Sequence, residues 1–321
     1  MSIKWGILGT GGIAREFAQD VSDFTEMEIA AVGSRSIEGA ESFPIANEKC
    51  EKYGSYEELV NSDVDAIYVA TPHQMHCSNT LLALNAGKPV LCEKPFAVNA
   101  KEAMAMADCA TSKNLLLMEA MWTRYLPHIQ KLRELLPELG EIYSLSADHG
   151  QALTHIQRLT DPNYAGGALL DLGIYPVSFI FMILGKPERI IARGDLVGGV
   201  DFQTSAIFEY VSGAHATFTT NLKVKGPTVA TICGTKARLE LETSFYRPTN
   251  MRLIYNDGNT IEFKNEYRGH GLREQAIYFE KMLISGKRSS ALLPLTETVS
   301  IMQTLDEIRN QIGLRYPFEE I

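Results

Sequence analysis

The sequence has 321 residues, of which 45% are hydrophobic and 21% charged, a composition and length typical of a globular protein with about two domains. The formal net charge of −9 argues against a nucleic-acid partner, because such a partner needs a basic surface. The sequence lacks any apolar run of about 18 residues, so it predicts no membrane-spanning segment.

The chain begins with a strand, a glycine-rich turn and a helix. The apolar strand Ile3–Leu8 is followed by the pattern G-x-G-x-x-A, and apolar residues at helical spacing come after it. In this pattern Gly9 permits a tight turn, Gly11 lets the backbone approach a pyrophosphate, and Ala14 allows close packing of helix on strand. The helix N-terminus offers N–H groups to phosphate. We therefore predict a dinucleotide site formed by Gly9, Thr10, Gly11, Gly12, Ile13 and Ala14.

The end of the second predicted strand, Met27–Gly33, indicates which dinucleotide binds. An NAD enzyme places Asp or Glu about twenty residues after the glycines, on the ribose 2′-hydroxyl. Here Ser34 and Arg35 occupy that place, and no carboxylate appears before Glu38. A guanidinium suits a 2′-phosphate, so the pattern favours NADP, with NAD possible. The alternative is that Arg35 is a solvated turn residue.

Two histidines follow the next predicted strand, Ala66–Ala70, after a stretch expected to hold crossover helices. His73 and His76 resemble a metal pair, but no third ligand lies in register with them. We therefore predict no metal and expect these rings to cap a helix or line a cleft.

The stretch around Lys94 is the chain's most distinctive one. Val90–Cys92 is apolar, as in a buried parallel strand, and Glu93, Lys94 and Pro95 follow it abruptly. Ligands bind just beyond the carboxyl ends of such strands, which would place Lys94 at the mouth of a cleft. A surface-loop lysine is an equally good interpretation of this stretch alone.

The order of the predicted elements gives the fold class. Strands and helices alternate as far as the strand Leu115–Met118, which indicates an N-terminal Rossmann doubly wound parallel sheet. A strand is expected at Ile142–Asp148, strand patterns dominate from Arg189 to Phe263, and two amphipathic helices near 272–285 and 296–312 end the chain. We predict an α/β protein with a dinucleotide-binding domain over 1–122. An α+β domain with a large, mostly antiparallel open sheet is expected over 123–321.

A very apolar helix begins at Gly166 and carries two polar residues four apart, Asp171 and Tyr175. Residues at this spacing share a helix face. Burying an aspartate among leucines is costly unless it is paired. It is either a structural residue bonded to backbone or half of an acid–base pair that faces a cleft.

The five cysteines are widely spaced and form no C-x-x-C pair. Such spacing predicts reduced thiols and a cytoplasmic protein.

The sequence resembles the glucose–fructose oxidoreductase / inositol dehydrogenase family over nearly its whole length. Many members have His where this chain has Tyr175, and this departure is similar to the dimeric dihydrodiol dehydrogenases and NADP-dependent xylose dehydrogenases. The resemblance rests on the segments 9–14, 71–76, 86–90, 93–95, 118–125 and 166–175.

The resemblance implies an NADP-dependent oxidoreductase that acts on a secondary alcohol of a sugar or cyclic diol. It implies that Lys94 and Tyr175 act at the carbon that loses hydride, that Asp171 lies nearby, and that Trp122 and Arg158 border the substrate. It further implies a dimer, and a cofactor site that includes Thr71, Pro72, His76, Glu93 and Lys94. Otherwise Trp122 is a core residue at a domain junction and Arg158 a surface charge.

Two other functions stay open. One is an NAD-dependent polyol or inositol dehydrogenase, and the other is a catalytically silent NADP-sensing regulator. The presence of Lys94, Asp171 and Tyr175 together argues against the silent protein, which has no need of all three.

Overall fold

The computed structural model describes residues 2–45 and 47–319. The chain divides into two compact units, each made of two segments. The first unit is Met1–Tyr125 with Arg268–Val299, and the second is Leu126–Tyr267 with Ser300–Ile321. The sequence alone assigns every residue after 122 to a second domain, whereas in the structure residues 268–299 belong to the first unit.

The first unit is built on a parallel sheet whose strand order is β3-β2-β1-β4-β5-β6. The order reverses between β1 and β4, and this switch point is where open α/β sheets bind ligands. The strands are β1 (Lys4–Leu8), β2 (Glu28–Gly33), β3 (Glu51–Tyr53), β4 (Ala66–Val69), β5 (Val90–Glu93) and β6 (Leu117–Ala120).

Helices connect these strands, as predicted for a doubly wound sheet. Asn99 caps one of them with its side chain, which accepts from the Glu102 N–H at 2.9 Å. Glu102 in turn accepts from the Val98 N–H at 3.1 Å, so a reciprocal cap begins this helix. The helices are α1 (Gly12–Phe24), α2 (Ile37–Glu41), α3 (Tyr56–Val60), α4 (His76–Asn85) and α5 (Ala100–Ser112), with 3₁₀ turns at His73–Met75 and Trp122–Tyr125.

The segment 268–299 joins the rest of the first unit through contacts that include two sets near β1 and α1. In its helix Arg273–Ile284, the Phe279 ring packs 5.0 Å from the Trp5 ring, centroid to centroid. The Asp20 carboxylate on α1 is buried and accepts hydrogen bonds from the backbone N–H groups of His270, Gly271 and Arg273. These contacts are the physical reason why residues 268–299 fold with the N-terminal sheet.

The second unit contains an eight-stranded sheet of order β14-β13-β12-β11-β7-β10-β9-β8. Only the β7–β10 pair among these strands is parallel, and the other pairs are antiparallel. The two sheets confirm the predicted fold class. The strands are β7 (Ile142–Gly150), β8 (Arg189–Val197), β9 (Val200–Glu209), β10 (His215–Asn221), β11 (Ala230–Gly234), β12 (Ala237–Leu241), β13 (Met251–Tyr255) and β14 (Thr260–Phe263).

The helices of this part of the chain are α6 (Pro127–Leu135), α7 (Gln157–Thr160) and α8 (Ile174–Leu184). Two later helices complete the chain, α9 (Arg273–Ile284) of the first unit and α10 (Leu295–Ile312). The Gln311 side chain on α10 accepts from the Ala192 N–H and donates to the Ile190 carbonyl, so it occupies backbone groups of the edge strand β8. Such cover protects an edge from pairing with other chains.

The apolar stretch between β7 and β8 is helical but not uniformly α-helical. Leu169–Gly173 forms a π-helical turn that continues into α8. The stretch Pro162–Leu184 is long and apolar enough to cross a membrane by length and composition, yet 83% of its most apolar window is buried inside the structure. Core helices of globular domains meet the same criteria, and the absence of a membrane segment stays a prediction.

Candidate functional site

The turn between β1 and α1 can be formed only by glycine at its first position. Gly9 has a φ of +107°, and a Cβ there would lie 2.6 Å from the Ala70 carbonyl oxygen. The Gly9 N–H donates to the Gly33 carbonyl at 3.0 Å. The ends of β1, β2 and β4 therefore meet closely at this turn, at the switch point of the sheet.

The N-terminus of α1 has the features of a phosphate site. Gly11 is its N-cap and makes no side-chain cap hydrogen bond. Cβ atoms built at Gly11 and Gly12 would meet no described atom within 4 Å. The first N–H groups of a 13-residue helix thus adjoin open space, with the positive end of the helix dipole behind them. The glycine turn fits the pyrophosphate of a dinucleotide.

Ser34 and Arg35 lie directly beyond the carboxyl end of β2, where the sequence places a contact to the ribose. Ser34 is held by a hydrogen bond from its N–H to the Tyr53 carbonyl at 3.1 Å. Arg35 is exposed, and Ser36 caps α2 by accepting from the Gly39 N–H. The guanidinium is therefore accessible from solvent, and its contact with a 2′-phosphate stays a prediction.

His76 links the loops that follow β4 and β5. Its Nε2 lies 2.8 Å from the Thr71 carbonyl and its Nδ1 lies 2.7 Å from the Pro95 carbonyl. Burial lowers the pKa of this ring to about 4, and the nearby charges of His73 and Lys94 act in the same direction. At neutral pH the ring is therefore neutral and can donate to only one of the two carbonyls. Its position between the Thr71-Pro72 turn and Pro95 holds both loops at the carboxyl edge of the sheet.

Glu93 supports the backbone at Lys94 from inside the unit. The Tyr68 hydroxyl donates to one of its carboxylate oxygens at 2.5 Å, and the Lys94 N–H donates to the other at 3.2 Å. Glu93 is buried, whereas Lys94 is partly exposed. The predicted cofactor contact of Glu93 stays a prediction, while its observed contact is with the backbone of Lys94. The supporting Tyr68 had no signal in the sequence beyond its place in an apolar strand.

Glu119 is a second buried carboxyl group at this edge, and the sequence analysis did not identify it. It lies opposite Cys92 in the β5–β6 register, and it accepts from the Thr298 hydroxyl at 3.0 Å. Burial raises the pKa of Glu119 to about 7, although the bond from Thr298 and the charge of Arg124 oppose this shift. Its position directly after the predicted apolar strand Leu115–Met118 was the only signal in the sequence.

Trp122 begins the 3₁₀ turn that follows β6 and is buried in the first unit. This placement agrees with its interpretation as a core residue. A contact with substrate stays a prediction.

In the second unit the structure brings Asp171 and Arg158 together. The Arg158 guanidinium donates to the Asp171 carboxylate at 3.2 Å. The aspartate side chain is 8% exposed and the arginine side chain 46%. The pairing explains how Asp171 is tolerated in the apolar π-helical turn, and such turns are frequent at functional sites.

Tyr175 lies one position inside α8 and forms an aromatic cluster with His149 and Tyr246. Its ring centroid is 4.5 Å from that of Tyr246 and 5.4 Å from that of His149. All three rings are buried. Neither partner was predicted from the sequence, since His149 directly follows the predicted strand Ile142–Asp148 and Tyr246 lies in an irregular segment.

The described residues contain no group of three or more His, Cys, Asp or Glu side chains that could hold a metal ion. All five cysteines are free thiols. Metal independence and a cytoplasmic location stay predictions.

A six-stranded parallel sheet with a glycine turn at its switch point defines a dinucleotide-binding protein. The family model described as an oxidoreductase family with an NAD-binding Rossmann fold, GFO/IDH/MocA, matches residues 3–121. The model of the GFO/IDH/MocA C-terminal domain matches residues 129–240. The chain belongs to this oxidoreductase family and is an NAD(P)-dependent enzyme.

Curated relatives cover the full chain. The chain is 38% identical over 333 residues to trans-1,2-dihydrobenzene-1,2-diol dehydrogenase of Mus musculus, with 99% of each protein covered. It is 36% identical to the enzyme of the same name from Bos taurus and 35% identical to that from Homo sapiens, again with 99% of each chain covered. These relatives confirm the predicted resemblance.

Solved structures share the fold. A 3-ketoreductase from Actinomadura kijaniata, solved with NADP and TDP-benzene, superposes with a TM-score of 0.85 at 24% identity and covers 97% of this chain and 98% of its own. An aldose–aldose oxidoreductase from Caulobacter crescentus, solved with glycerol, gives a TM-score of 0.85 at 22% identity and covers 98% of both chains.

Proposed function

We propose that the protein is an NADP-dependent dehydrogenase that transfers hydride between nicotinamide and a secondary alcohol, on a sugar or a cyclic trans-diol. The glycine turn carries the proposal, because an uncapped helix N-terminus at the switch point of the sheet suits a dinucleotide. The relatives named as trans-diol dehydrogenases support the diol as a substrate class. The sugar rests on the resemblance to xylose dehydrogenases.

The preference for NADP rests on Arg35. Its exposed side chain follows β2, and the next carboxylate along the chain is Glu38. A guanidinium can bind a phosphate with two charge-assisted hydrogen bonds, which a ribose hydroxyl cannot match.

The proposed chemistry divides between two side chains. The bound nicotinamide supplies the hydride acceptor. The alcohol carbon gives up its hydrogen with the electron pair, the hydroxyl proton passes to the Tyr175 oxygen, and a carbonyl results. Lys94 polarises the reacting oxygen and favours the phenolate form of Tyr175. Asp171, fixed by Arg158, contributes negative charge near the proton path.

The experiment is a turnover assay with NADP⁺ and NAD⁺ against aldoses, inositol and trans-cyclohexane-1,2-diol, followed by nicotinamide absorbance. Cofactor affinities are measured beside it by fluorescence titration of wild type, Arg35→Ala and a control, Arg315→Ala, which removes an exposed arginine elsewhere. Loss of a charge-assisted contact costs about 1.5–3 kcal/mol, so Arg35→Ala should weaken NADP binding roughly ten- to a hundredfold. NAD affinity and the control should stay at wild-type values. Equal losses for both cofactors would contradict the NADP assignment, and no turnover with any substrate would contradict the dehydrogenase.

A further inference from the structure

Gln151 lies beside the aromatic cluster and differs from its three members in exposure. The rings of His149, Tyr175 and Tyr246 are buried, whereas Gln151 is partly exposed. Its side-chain nitrogen lies 2.8 Å from His149 Nε2 and 3.3 Å from the Tyr246 hydroxyl. Tyr246 in turn packs against Tyr175. Gln151 is thus connected to the proposed proton acceptor through one aromatic ring.

The protonation of His149 determines which way this amide faces. His149 Nδ1 lies 3.2 Å from the Leu172 carbonyl, which can only accept, so Nδ1 carries the hydrogen. His149 is fully buried. The side-chain nitrogen of Gln151 lies 2.8 Å from Nε2, and an NH₂ group can only donate, so Nε2 is the acceptor and the ring carries its hydrogen on Nδ1. Gln151 therefore presents its NH₂ group to His149 and not its carbonyl oxygen.

This arrangement leaves a defined acceptor. The two amide hydrogens point to His149 Nε2 and to the Tyr246 oxygen, so the amide nitrogen is committed within the protein. The remaining polar group of the side chain is its carbonyl oxygen. The two hydrogen bonds of the amide nitrogen fix its position, and the residue is partly exposed. Such a group can accept a hydrogen bond from a hydroxyl without loss of rotamer freedom.

We propose that Gln151 is a specificity-determining residue that accepts a hydrogen bond from a substrate hydroxyl on a carbon beyond the oxidised carbon and its neighbour. The inference rests on the proposed function and narrows it to polyhydroxylated substrates. A sugar supplies this donor on a carbon beyond the oxidised carbon and its neighbour. In trans-cyclohexane-1,2-diol only those two carbons carry hydroxyl groups. A site built to bond a substrate hydroxyl discriminates against analogues that lack it.

The test compares two substrates in three variants. Gln151→Met keeps the length of the side chain but removes the amide, and Gln203→Met makes the same change at an exposed position on β9. With NADP⁺, Gln151→Met should lower kcat/KM for D-xylose roughly three- to tenfold, as loss of one uncharged hydrogen bond predicts. The kcat/KM for trans-cyclohexane-1,2-diol should stay within about twofold, and Gln203→Met should change neither value.

Gln151→Glu tests whether these hydrogen bonds are needed to hold the acceptor. Its carboxylate retains oxygen acceptors but has no hydrogen to donate to His149 Nε2, so the ratio of D-xylose to diol activity should fall as in Gln151→Met. A ratio that is unchanged in Gln151→Met, with both substrates losing equally, would overturn the inference, because Gln151 would then only position Tyr175. A wild-type protein that oxidises neither substrate with either cofactor would instead overturn the proposed function, and this inference with it.

Discussion

The hydroxyl of Tyr175 and the ammonium of Lys94 have different tasks in the proposed reaction, and single substitutions can separate them. A free tyrosine has a pKa near 10 and is a poor base at neutral pH. Its proton transfer therefore depends on a cation that stabilises the phenolate. Tyr175→Phe keeps the ring that packs on Tyr246 and His149, so the aromatic cluster should persist.

General acid–base catalysis contributes about 10²–10⁴ in rate, and Tyr175→Phe should lower kcat by that factor with cofactor affinity unchanged. Lys94→Ala should be at least as harmful, since it removes both the tuning charge and a contact to the reacting oxygen. The measurement is steady-state kinetics across pH, with Tyr164→Phe and Lys101→Ala as controls at exposed positions. Alcohol oxidation by wild type should rise with an apparent pKa well below 10, and this limb should shift or vanish in Tyr175→Phe. A near-normal kcat with an unchanged profile would make Tyr175 a packing residue.

Local patterns predicted the elements that depend on neighbours in sequence. The glycine turn was predictable because strand end, φ-permissive residue and helix start are consecutive, and the structure shows why Gly9 is required. The strand β5 was predictable from its apolar run and the charges that follow.

The remaining features depend on contacts between distant residues. The strand β3 has only three residues, too few for a periodic signal, and it was missed within a stretch expected to be helical. The π-helical turn at Leu169–Gly173 has no sequence period of its own that differs from an α-helix over five residues. Pairing of Phe279 with Trp5, and of Tyr246 with Tyr175, spans separations that a pattern in one sequence cannot report.

The second sheet has an open face that bears on the predicted dimer. One row of side chains runs across five strands in direct register: Ile191, Ile207, Thr217, Ser146 and Thr231. Ile191 is 36% exposed and Ile207 40% exposed. The neighbouring positions on β9 and β10 are buried, so these residues define the opposite, open face of the sheet. Apolar and small hydroxyl side chains in one row suit a second copy better than solvent.

We expect this face to form the dimer that the family resemblance implies. Ile207→Lys places a charge within the row and should shift a dimer to monomer, because a buried unpaired ammonium is costly. Sedimentation velocity at several concentrations measures the change. Val211→Lys, in the turn between β9 and β10, is the matched control. A wild-type protein that stays monomeric, or an Ile207→Lys variant as dimeric as wild type, would contradict the assignment.

Each of the two units encloses a histidine whose pKa is lowered and a carboxyl group whose pKa is raised. Burial lowers the pKa of His76 in the first unit and of His128 in the second to about 4. Burial raises the pKa of Glu119 in the first unit and of Asp201 in the second to about 7. Both units therefore keep these four groups neutral around pH 5.5.

The two kinds of group change stability in opposite directions. Below pH 6.5 the unfolded chain protonates its histidines while the folded chain does not, so their contribution to stability falls as pH drops from about 6.5 to about 4. The folded chain holds carboxyl protons that the unfolded chain releases, so that contribution falls as pH rises from about 4 to about 7. Between these limits the slopes oppose each other, and the stability of wild type should depend only weakly on pH through these groups.

Removing a titratable group of one kind should reveal how the groups of the other kind make stability depend on pH. Glu119→Gln replaces a buried acid that is neutral at low pH with an amide of the same shape that does not titrate. Because only wild type loses stability through this group as pH rises, the variant should be least stable relative to wild type at pH 5 and most stable relative to it at pH 7.5. One pKa unit corresponds to about 1.4 kcal/mol, so the free energy of unfolding of the variant relative to wild type should rise by about 1–3 kcal/mol between these pH values. Urea unfolding at both pH values measures the difference, and Glu26→Gln, at an exposed position on the same unit, is the control. A difference between Glu119→Gln and wild type that is the same at pH 5 and pH 7.5 would show that Glu119 is ionised in the folded protein throughout this range.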